Sequence, residues 1–367
     1  MDVIEPGSTI GILGGGQLGR MLAMAAAQLG LRTHIFAPQA DSVAAEVAAR
    51  FTQTDWHDTA ALAAFAAGCA VVTYEFENVP VAPLGALPAG KLAPGTRALE
   101  VAQDRLAEKR FVEQLGGRPA PYAAVSSAAE LEAALAAVGT PGILKTRRDG
   151  YDGKGQWRIG SAADCAGIAI PPSGLVYEGM VEFAAEFSVI LVRGRGGEIR
   201  FWDSAHNQHE RGILVRSELP APDIVARQVE PARALARKVA DALDYVGVLT
   251  LEFFATAEGA PMDGPVDGPV DGPVFNEMAP RVHNSGHWTI EGALTSQFEN
   301  HIRAVAGLPL GDTATLAPRV VMDNLIGADA LDLARHLADA RAHLHLYGKA
   351  AARPGRKMGH VTRVGEA

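Results

Sequence analysis

Two short apolar segments carry acidic residues at positions suited to holding a metal ion. Glu252 lies within residues 250–254, and Asn276 and Glu277 lie within residues 275–281. Both segments have strand composition, so adjacent antiparallel strands would place Glu252 close to Asn276 and Glu277 and facing the same way. Hard oxygen ligands of this kind bind Mg2+, which keeps most of its remaining coordination for water and nucleotide phosphate. The pattern predicts metal-dependent nucleotide chemistry.

A glycine-rich, positively charged loop lies upstream of these acidic segments. Lys145 ends an apolar run, and residues 147–156 follow with several glycines and the cations Arg147, Arg148 and Lys154. Backbone amides and cations in such a loop can surround the phosphates of ATP. A flexible solvated hairpin is the alternative, because Gly, Asp and Lys are common in exposed loops. Together with the carboxylates, the loop favours ATP-dependent chemistry.

A glycine fingerprint at Gly14, Gly16 and Gly19 lies between a predicted strand and a predicted helix. Such a turn lets the backbone approach an anion at the helix N-terminus. NAD binding is disfavoured, because the acidic residue expected about 20 positions later is missing. The second strand instead ends at residues 36–38 with Phe-Ala-Pro. A phosphate-bearing substrate and a purely structural turn both remain open.

Three further segments are candidates for substrate binding. Glu75 follows a buried strand at the sheet edge where open α/β sheets bind ligands, although a capping or solvated acidic turn is equally consistent. Residues 276–288 place many polar side chains in one turn after a strand, which is unusual for a plain connector. Residues 347–360 form a basic cluster that suits a phosphate monoester, or else a solvated basic tail.

The composition is that of an ordinary globular protein, with 48% hydrophobic and 20% charged residues among 367. A net charge of −9 argues against a nucleic-acid or anionic-membrane surface. Cys69 and Cys165 lack metal-ligand spacing, and HExxH and GxSxG motifs are absent. No stretch approaches the roughly 20 apolar residues that span a bilayer, and no cleavable signal is evident. A cytoplasmic location is predicted.

The order of predicted elements indicates a chain of α/β and α+β class. Residues 8–100 alternate strands and helices, including a helical segment at 44–50, which is typical of a parallel sheet. A long amphipathic helix is predicted over 98–115, followed by a small α+β unit. Residues 181–305 predict a mostly antiparallel sheet, covered by helices at 231–243 and 297–305.

A tandem repeat separates the two acidic segments. Asp-Gly-Pro-Val occurs three times over residues 263–274, where a short hairpin turn would suffice. Asp-Gly and Gly-Pro steps favour turns, and lengthening a loop costs little free energy. We interpret the repeat as an expanded exposed loop, arising either from neutral slippage or from a partner-binding role.

Taken together, these motifs resemble the ATP-grasp superfamily and, within it, the 5-(carboxyamino)imidazole ribonucleotide synthase family of purine biosynthesis. The resemblance extends from Gly11 to His360. It rests on the segments GILGGGQLGRMLAMAA, YEFENV, QDRLAEKRF, GYDGKGQ, NEMAPRVHNSGHWT and YGKAAARPGRKMGH. It implies an ATP-grasp fold with an N-terminal Rossmann-like parallel-sheet domain (1–103), a small lid domain (104–177) and a larger antiparallel-sheet C-terminal domain (178–367).

The resemblance also implies a reaction. ATP would phosphorylate bicarbonate to carboxyphosphate, and the 5-amino group of 5-aminoimidazole ribonucleotide would then be carboxylated, with release of ADP and phosphate. The implied cofactors are ATP and Mg2+, with Mn2+ as an alternative. The implied partners are the small-molecule substrates and a second copy of the chain in a homodimer, with no nucleic acid and no membrane.

Individual roles follow from the same resemblance. The residues implied to contact the nucleotide are Arg105, Lys145, Gly150, Tyr151, Asp152, Gly153, Lys154, Gly155, Gln156, Glu178, Val181, Glu186, His209, Asn276 and Glu277. Glu252 and Glu277 would hold Mg2+. The implied substrate-binding residues are Gln17, Leu18, Glu75, Arg281, His283, Asn284, Lys349 and Arg356. The implied catalytic residues are Tyr151, Asp152, Arg281 and Lys349, with Asp152 accepting the proton of the attacking amine.

Three alternatives compete with this reading. Another ATP-grasp ligase, such as a formate-dependent glycinamide ribonucleotide transformylase or a biotin carboxylase, would share the ATP chemistry, but GGGQLG, YEFENV and KMGH favour the synthase. A catalytically inactive ATP-binding module is disfavoured by the intact Glu252, Glu277, Lys145 and Arg281. A nicotinamide-dependent dehydrogenase lacks its ribose-binding acid.

Overall fold

The computed structural model describes residues 3–150, 155–257 and 272–365, whose strands form three sheets. The first sheet is parallel, with strand order β3-β2-β1-β4. Helices α1 (Gln17–Gln28) and α2 (Thr59–Ala67) supply two of the connections that parallel strands require. Strands β1 to β4 are, in chain order, Thr9–Leu13, Arg32–Ala37, Arg50–Gln53 and Val71–Tyr74.

The second sheet is antiparallel and also has four strands, in the order β5-β8-β6-β7. Helix α5 (Ala128–Val138) begins at Ser127, whose side chain accepts the Glu130 N–H, and it buries Leu131, Ala134 and Val138. Strands β5 to β8 are Tyr122–Val125, Gly142–Thr146, Gln156–Ile159 and Leu175–Gly179.

The third sheet is antiparallel and the largest of those described. Its order is β14-β13-β9-β11-β12-β15-β17-β16, and β10 also pairs with β9. Strands β9 to β17 are Ala185–Arg193, Ile199–Phe201, His206–Glu210, Ile213–Leu219, Gly247–Ala255, Val274–Ala279, Arg319–Ile326, Ala342–Leu346 and Lys357–Gly365. The remaining helices are α3 (Thr96–Ala102), α4 (Arg105–Gln114), α6 (Asp223–Ala242), α7 (Thr289–Gly292), α8 (Gln297–Ala306) and α9 (Leu333–His336).

The prediction of one long helix over 98–115 is wrong. The segment forms two helices, α3 and α4, because Asp104 leaves helical geometry and its carboxylate accepts the N–H groups of Leu106 and Ala107. An aspartate in this position is a preferred N-cap, and its side chain satisfies N–H groups that the first turn leaves without partners. The break has consequences for the site, since α4 starts directly at Arg105.

Two other predicted segments differ from the structure. Residues 44–50 contain only a short 3-10 turn, and Arg50 instead begins β3, the edge strand of the parallel sheet. The helix predicted over 231–243 starts earlier, at Asp223, and includes Pro231 on its exposed face. The sequence analysis named none of β11, β12, β15, β16 and β17, whose polar and apolar residues are mixed.

A buried histidine joins the parallel sheet to the third sheet. His301 on α8 accepts the Val248 N–H at Nδ1 (3.1 Å), so its Nε2–H is left to donate to Thr73 Oγ1 on β4 at 2.8 Å. Burial lowers the pKa of His301 to about 3, which keeps the ring neutral. The contact fixes one tautomer and holds the two sheets at a set distance.

The described residues include no helix that meets the length and hydrophobicity needed to cross a bilayer. The three sheets occupy residues 9–74, 122–179 and 185–365. The domain limits of the sequence analysis stay a prediction.

Candidate active site

The two predicted metal ligands lie opposite each other in the third sheet. Glu252 on β13 pairs with Glu277 on β14, so their side chains leave the same face. A bulge follows, since Phe253 pairs with Phe275 and Asn276 has no opposite residue. Asn276 and Glu277 are both half-buried, which departs from strict strand alternation. The predicted juxtaposition is confirmed, and metal binding itself stays a prediction.

Each of these carboxylates has a partner side chain from another part of the fold. His283 Nε2 lies 2.9 Å from Glu252 Oε1, and Arg105 Nη1 donates to Glu277 Oε2 at 3.1 Å. Burial alone would raise the pKa of Glu252, but His283 and His209 outweigh it and lower the pKa to about 2. The Glu252 carboxylate is therefore ionised at neutral pH, as a metal ligand must be.

The donor set fits a metal ion that arrives with a nucleotide. The described residues contain no group of three or more His, Cys, Asp or Glu side chains arranged to hold a metal. Mg2+ usually binds one or two carboxylates and takes its other ligands from phosphate and water. Glu252 and Glu277 supply two carboxylates, and the Glu277 side chain is 42% exposed.

A buried charge cluster lies on the second sheet. Lys145 Nζ on β6 donates to Glu178 Oε2 on β8 at 2.9 Å, and Lys109 Nζ on α4 lies 3.2 Å from Glu178 Oε1. Burial would raise the pKa of Glu178, but the two lysines lower it to about 2. Burial lowers the pKa of Lys145, and Glu178 opposes this effect. Two members of the cluster, Lys145 and Glu178, are predicted nucleotide contacts, and Lys109 is a further cation beside them.

The predicted phosphate loop is described at its two ends. Gln156 on β7 lies opposite Lys145 on β6. Gly155 has a positive φ of 68°, and an added Cβ would lie 2.5 Å from Thr146 Oγ1, so glycine is required there. On the other side, Gly150 is the last described residue of the segment that follows β6. Tyr151, Asp152, Gly153 and Lys154 lie outside the described residues.

Two more predicted nucleotide contacts form an ion pair. His209 Nδ1 on β11 lies 2.6 Å from Glu186 Oε2 on β9. Burial lowers the pKa of His209, but Glu186 and Glu252 reverse that effect and raise it above the usual value. Val181 is buried in a small apolar cluster with Ala120. The structure thus brings His209 close to the metal-side acid Glu252.

The glycine fingerprint surrounds a carboxylate of the chain itself. The N–H groups of Gly16 and Gly19 donate to the two oxygens of Glu75, the second at 2.6 Å. Burial outweighs these N–H groups, so the pKa of Glu75 is raised overall. The hydrogen-bond acceptor at the N-terminus of α1 is therefore the Glu75 side chain, which matches the capping alternative for this residue. Leu18 is buried in the main core, so only its backbone is available to a ligand.

Replacing Gly14 with Ala is expected to lower the free energy of unfolding by about 2 kcal/mol or more. Gly14 has a φ of 115°, and an added Cβ would lie 2.3 Å from Glu75 Cγ. Urea unfolding measures the effect, with Gly196→Ala as the control because no atom lies within 4 Å of an added Cβ there. Equal stabilities of the two variants would contradict the proposed packing of Glu75.

Arg281 connects the third sheet to the parallel-sheet domain. Its guanidinium binds Glu77 through two hydrogen bonds, one of them from Nη2 to Oε1 at 3.0 Å. Burial alone would lower the pKa of Arg281. The negative charges of Glu77, Glu277 and Glu252 outweigh this effect and raise the pKa above its usual value. The predicted catalytic cation is thus held by Glu77 and is within the electrostatic influence of Glu252 and Glu277.

The turn after β14 is held by a buried polar network. His283 Nδ1 lies 2.8 Å from Ser285 Oγ, which donates to Ser188 Oγ at 2.9 Å. Asn284 and Asn324 exchange hydrogen bonds through their side-chain amides, one of them at 3.0 Å. The side chain of Asn284 is hydrogen-bonded within the protein, and its substrate contact stays a prediction.

One residue of the C-terminal basic cluster, Lys349, lies near the glycine turn. Lys349 Nζ donates to Lys357 O at 2.8 Å, and Arg356 Nη1 donates to Ala351 O at 3.0 Å. The charge of Lys349 lowers the pKa of Glu75, which places it near the N-terminus of α1. Gln17 is the first residue of that helix and is half-buried. The structure therefore brings Gln17, Glu75 and Lys349 to one region.

The sequence analysis gave no role to several residues that organise the site. Glu77 binds Arg281, Lys109 binds Glu178, and Asp104 binds both Arg147 and Arg148. An Asp immediately before a run of helix formers is an N-cap signal that would have located the start of α4. The partners of Glu77 and Lys109 are distant in sequence, and local pattern carries no information on them.

Three family profiles match the chain. Residues 7–103 match the ribonucleotide synthetase preATP-grasp domain, residues 110–298 the ATP-grasp domain, and residues 320–367 the phosphoribosylaminoimidazole carboxylase C-terminal domain. The ATP-grasp fold with an N-terminal parallel-sheet domain, predicted from the sequence, is confirmed.

Curated relatives and solved structures agree with these profiles. The chain is 50% identical over 366 residues to the N5-carboxyaminoimidazole ribonucleotide synthase of Brucella melitensis, covering 98% of this chain and 97% of that protein. The crystal structure of N5-carboxyaminoimidazole ribonucleotide synthetase from Thermus thermophilus has a TM-score of 0.86 and 48% identity, covering 97% and 93% of the two chains. N5-carboxyaminoimidazole synthase from Aspergillus clavatus, in complex with ADP and 5-aminoimidazole ribonucleotide, has a TM-score of 0.82 and 29% identity, covering 98% and 94%.

Proposed function

This chain belongs to the N5-carboxyaminoimidazole ribonucleotide synthase family, and from that premise we propose how its residues carry out the family's reaction. It is an ATP-dependent ligase of purine biosynthesis that carboxylates the 5-amino group of 5-aminoimidazole ribonucleotide. The segments GGGQLG, YEFENV and KMGH favour this reaction over those of other ATP-grasp ligases.

We assign the nucleotide to the space between the second and third sheets. Lys145, Arg105 and Lys109 place positive charge there, and Glu178 holds the two lysines in position. Phosphoryl transfer requires mainly positioning and neutralisation of charge on the transferred group. Gly150, Gly155, Gln156, Val181, Glu186 and His209 keep their predicted nucleotide contacts as part of this proposal, as do Tyr151, Asp152, Gly153 and Lys154.

We assign Mg2+ to Glu252 and Glu277, with Asn276 beside them. When bound, the ion neutralises phosphate charge and orients the transferred group. Both carboxylates leave one face of the sheet, which supports the assignment. Mn2+ has similar oxygen-ligand preferences and is the alternative ion.

We assign the ribonucleotide to the region shared by the N-terminus of α1 and the C-terminal basic loop. Glu75 already accepts hydrogen bonds from the glycine turn, so we expect this turn to meet ribose hydroxyls rather than a second anion. Lys349 and Arg356 would hold the substrate phosphate, as fixed cations do for phosphate monoesters. Gln17, the backbone of Leu18, His283 and Asn284 complete the predicted set.

The proposed reaction proceeds in two steps. A bicarbonate oxygen attacks the γ-phosphorus of ATP, the bond to the β-phosphate oxygen breaks, and ADP leaves. The 5-amino nitrogen then bonds to the carboxyl carbon, supplied by carboxyphosphate or by carbon dioxide released from it, and phosphate leaves. The nitrogen loses a proton, for which Asp152 is the predicted acceptor. Exclusion of water protects the labile carboxyphosphate.

The observation that carries this proposal is the position of Arg281. It binds Glu77 of the parallel-sheet domain, and its pKa is raised by Glu252 and Glu277 as well as by Glu77. A fixed cation therefore lies between the region assigned to the nucleotide and the region assigned to the ribonucleotide. That is the place where bicarbonate and carboxyphosphate must be held.

Phosphate release from Mg-ATP at controlled bicarbonate, with and without 5-aminoimidazole ribonucleotide, tests the proposal. Strong stimulation by the ribonucleotide and a labile carboxylated product are expected. Turnover with glycinamide ribonucleotide and formate instead would assign the chain to the sister ligase. No turnover with either acceptor would overturn the assignment of these residues to catalysis.

Replacing Lys349 with Ala is expected to raise the KM for the ribonucleotide about 10-fold or more, because a charge-assisted contact to phosphate is lost. The KM for ATP should stay unchanged, since Lys349 lies on the C-terminal loop beyond the second sheet. Steady-state kinetics with Lys238→Ala as control, an exposed lysine on α6, measures the difference. An unchanged KM for the ribonucleotide would remove Lys349 from the phosphate site.

We also propose that the chain acts as a homodimer in the cytoplasm, with domains at 1–103, 104–177 and 178–367. The resemblance to the family supports the dimer. Sedimentation velocity at micromolar concentration is expected to give the mass of two chains, and a single-chain mass would contradict it.

A further inference from the structure

Helix α4 contacts two of the strands that carry the proposed ATP site, β14 and β8, through its first two turns. Arg105 donates to Glu277 on β14 at 3.1 Å, and Lys109 lies 3.2 Å from Glu178 on β8. Between them, Glu108 accepts the Met278 N–H at 2.6 Å. One short helix thus touches both the strand that carries a proposed metal ligand and the strand that carries the buried acid of the second sheet. The position of α4 sets the distance between these groups.

The start of α4 is fixed by a single buried carboxylate. Asp104 is 3% exposed, and its Oδ1 accepts the N–H groups of Leu106 and Ala107. The same carboxylate accepts Arg147 Nε at 2.7 Å and Arg148 Nη2 at 3.2 Å. Asp104 therefore caps α4 and also binds Arg147 and Arg148, the two residues that follow β6.

The backbone adds a third tie at this point. The Arg105 N–H donates to Arg147 O at 3.0 Å, and Arg147 lies two residues after Lys145. Arg105, which binds Glu277, and Lys145, which binds Glu178, are therefore connected through a junction formed by Asp104, Arg147 and Arg148. Loss of the charge at Asp104 would leave both arginines without this carboxylate partner and loosen the junction.

We propose that Asp104 is a positioning residue for ATP, which fixes α4 to the exit of β6 and so sets Arg105 relative to Lys145. This inference rests on the proposed assignment of the nucleotide site. It goes beyond that assignment, because Asp104 acts through Arg105, Arg147 and Arg148 rather than by contacting the nucleotide.

Substitution by asparagine separates the two functions of Asp104. Asparagine caps helices about as well as aspartate, so Asp104→Asn keeps the cap and removes the charge. Asp104→Ala removes both. Asp58→Asn is the matched control, because Asp58 caps α2 in the parallel-sheet domain by accepting the Ala61 N–H.

We expect Asp104→Asn to lower the thermal midpoint less than Asp104→Ala does, to raise the KM for ATP about 10-fold and to weaken ADP binding in calorimetry by a similar factor. The KM for the ribonucleotide should stay unchanged. Asp104→Ala should show the same loss of affinity together with a lower thermal midpoint. Asp58→Asn should match the wild type in every measurement.

Two results would overturn the inference. Wild-type affinity for ATP and ADP in Asp104→Asn, with losses confined to Asp104→Ala, would show that the carboxylate only caps the helix. Equal increases in both KM values would show general damage rather than positioning of ATP. Failure of the wild type to release phosphate in the ribonucleotide-dependent assay would contradict the proposed function instead, so the two failures are distinguishable.

Discussion

Replacement of Glu277 by Gln is expected to reduce ribonucleotide-dependent ATP turnover about 100-fold or more, the scale seen when one preorganised electrostatic contact is lost from a reacting centre. Glutamine keeps the shape of the side chain but is a neutral and weaker ligand for Mg2+. Arg105 loses its anionic partner in the same step, since it donates to Glu277 Oε2. Both changes leave negative phosphate charge less well compensated in the transition state.

Turnover measured across a series of Mg2+ concentrations separates metal binding from other effects. The variant should require more Mg2+ than the wild type, and the thermal midpoint should remain near the wild-type value because Glu277 is 42% exposed. Glu132→Gln on the exposed face of α5 is the control and should behave as the wild type. Near-normal turnover of Glu277→Gln at ordinary Mg2+ would remove this residue from the ligand set.

The metal-side geometry was predictable because it depends on neighbouring strands. Residues 250–254 and 275–281 have strand composition, and adjacent antiparallel strands bring opposite residues to one face. The pairing of Glu252 with Glu277 agrees with that prediction, but strand composition alone does not fix which residue of the second strand lies opposite Glu252. The bulge at Asn276, where Phe253 pairs with Phe275, was not predictable for the same reason.

The charge partners were not predictable, because they join residues far apart in sequence. Glu77 and Arg281 are separated by 204 positions, and Arg105 and Glu277 by 172. The glycine fingerprint predicted an anion at the start of α1, but the group that accepts the hydrogen bonds there is the carboxyl group of Glu75, 56 positions after Gly19. The local sequence pattern predicts where a charged group binds, but the residue that supplies this group depends on the tertiary fold.

The described site has its charges already paired before any nucleotide is considered. Glu252 is paired with His283, Glu277 with Arg105, and Glu178 with Lys145. Binding of Mg-ATP must therefore exchange protein partners for phosphate and metal, rather than fill positions that lack partners. Groups that remain buried throughout, such as Glu178, then have the separate task of keeping the cations in place.

Replacement of Glu178 by Gln is expected to lower the free energy of unfolding by about 3 kcal/mol or more, because removing one member of a buried ion cluster leaves the others uncompensated. Glu178 is 4% exposed, and its carboxylate binds both Lys109 and Lys145. Urea unfolding at neutral pH measures the loss, with Glu132→Gln again as the exposed control. Binding of ADP should weaken as well, because Lys145 loses its fixed position.

The pH dependence of this difference gives an independent check. The pKa of Glu178 falls from 4.5 to about 2 on folding, so the unfolded state takes up a proton before the native state does as pH falls. The stabilisation by Glu178 is therefore complete above about pH 4.5 and is lost as pH falls toward 2. The gap in unfolding free energy between wild type and Glu178→Gln should narrow over that interval. A gap that is small at neutral pH, or that does not change with pH, would mean that Lys109 and Lys145 do not depend on this carboxylate.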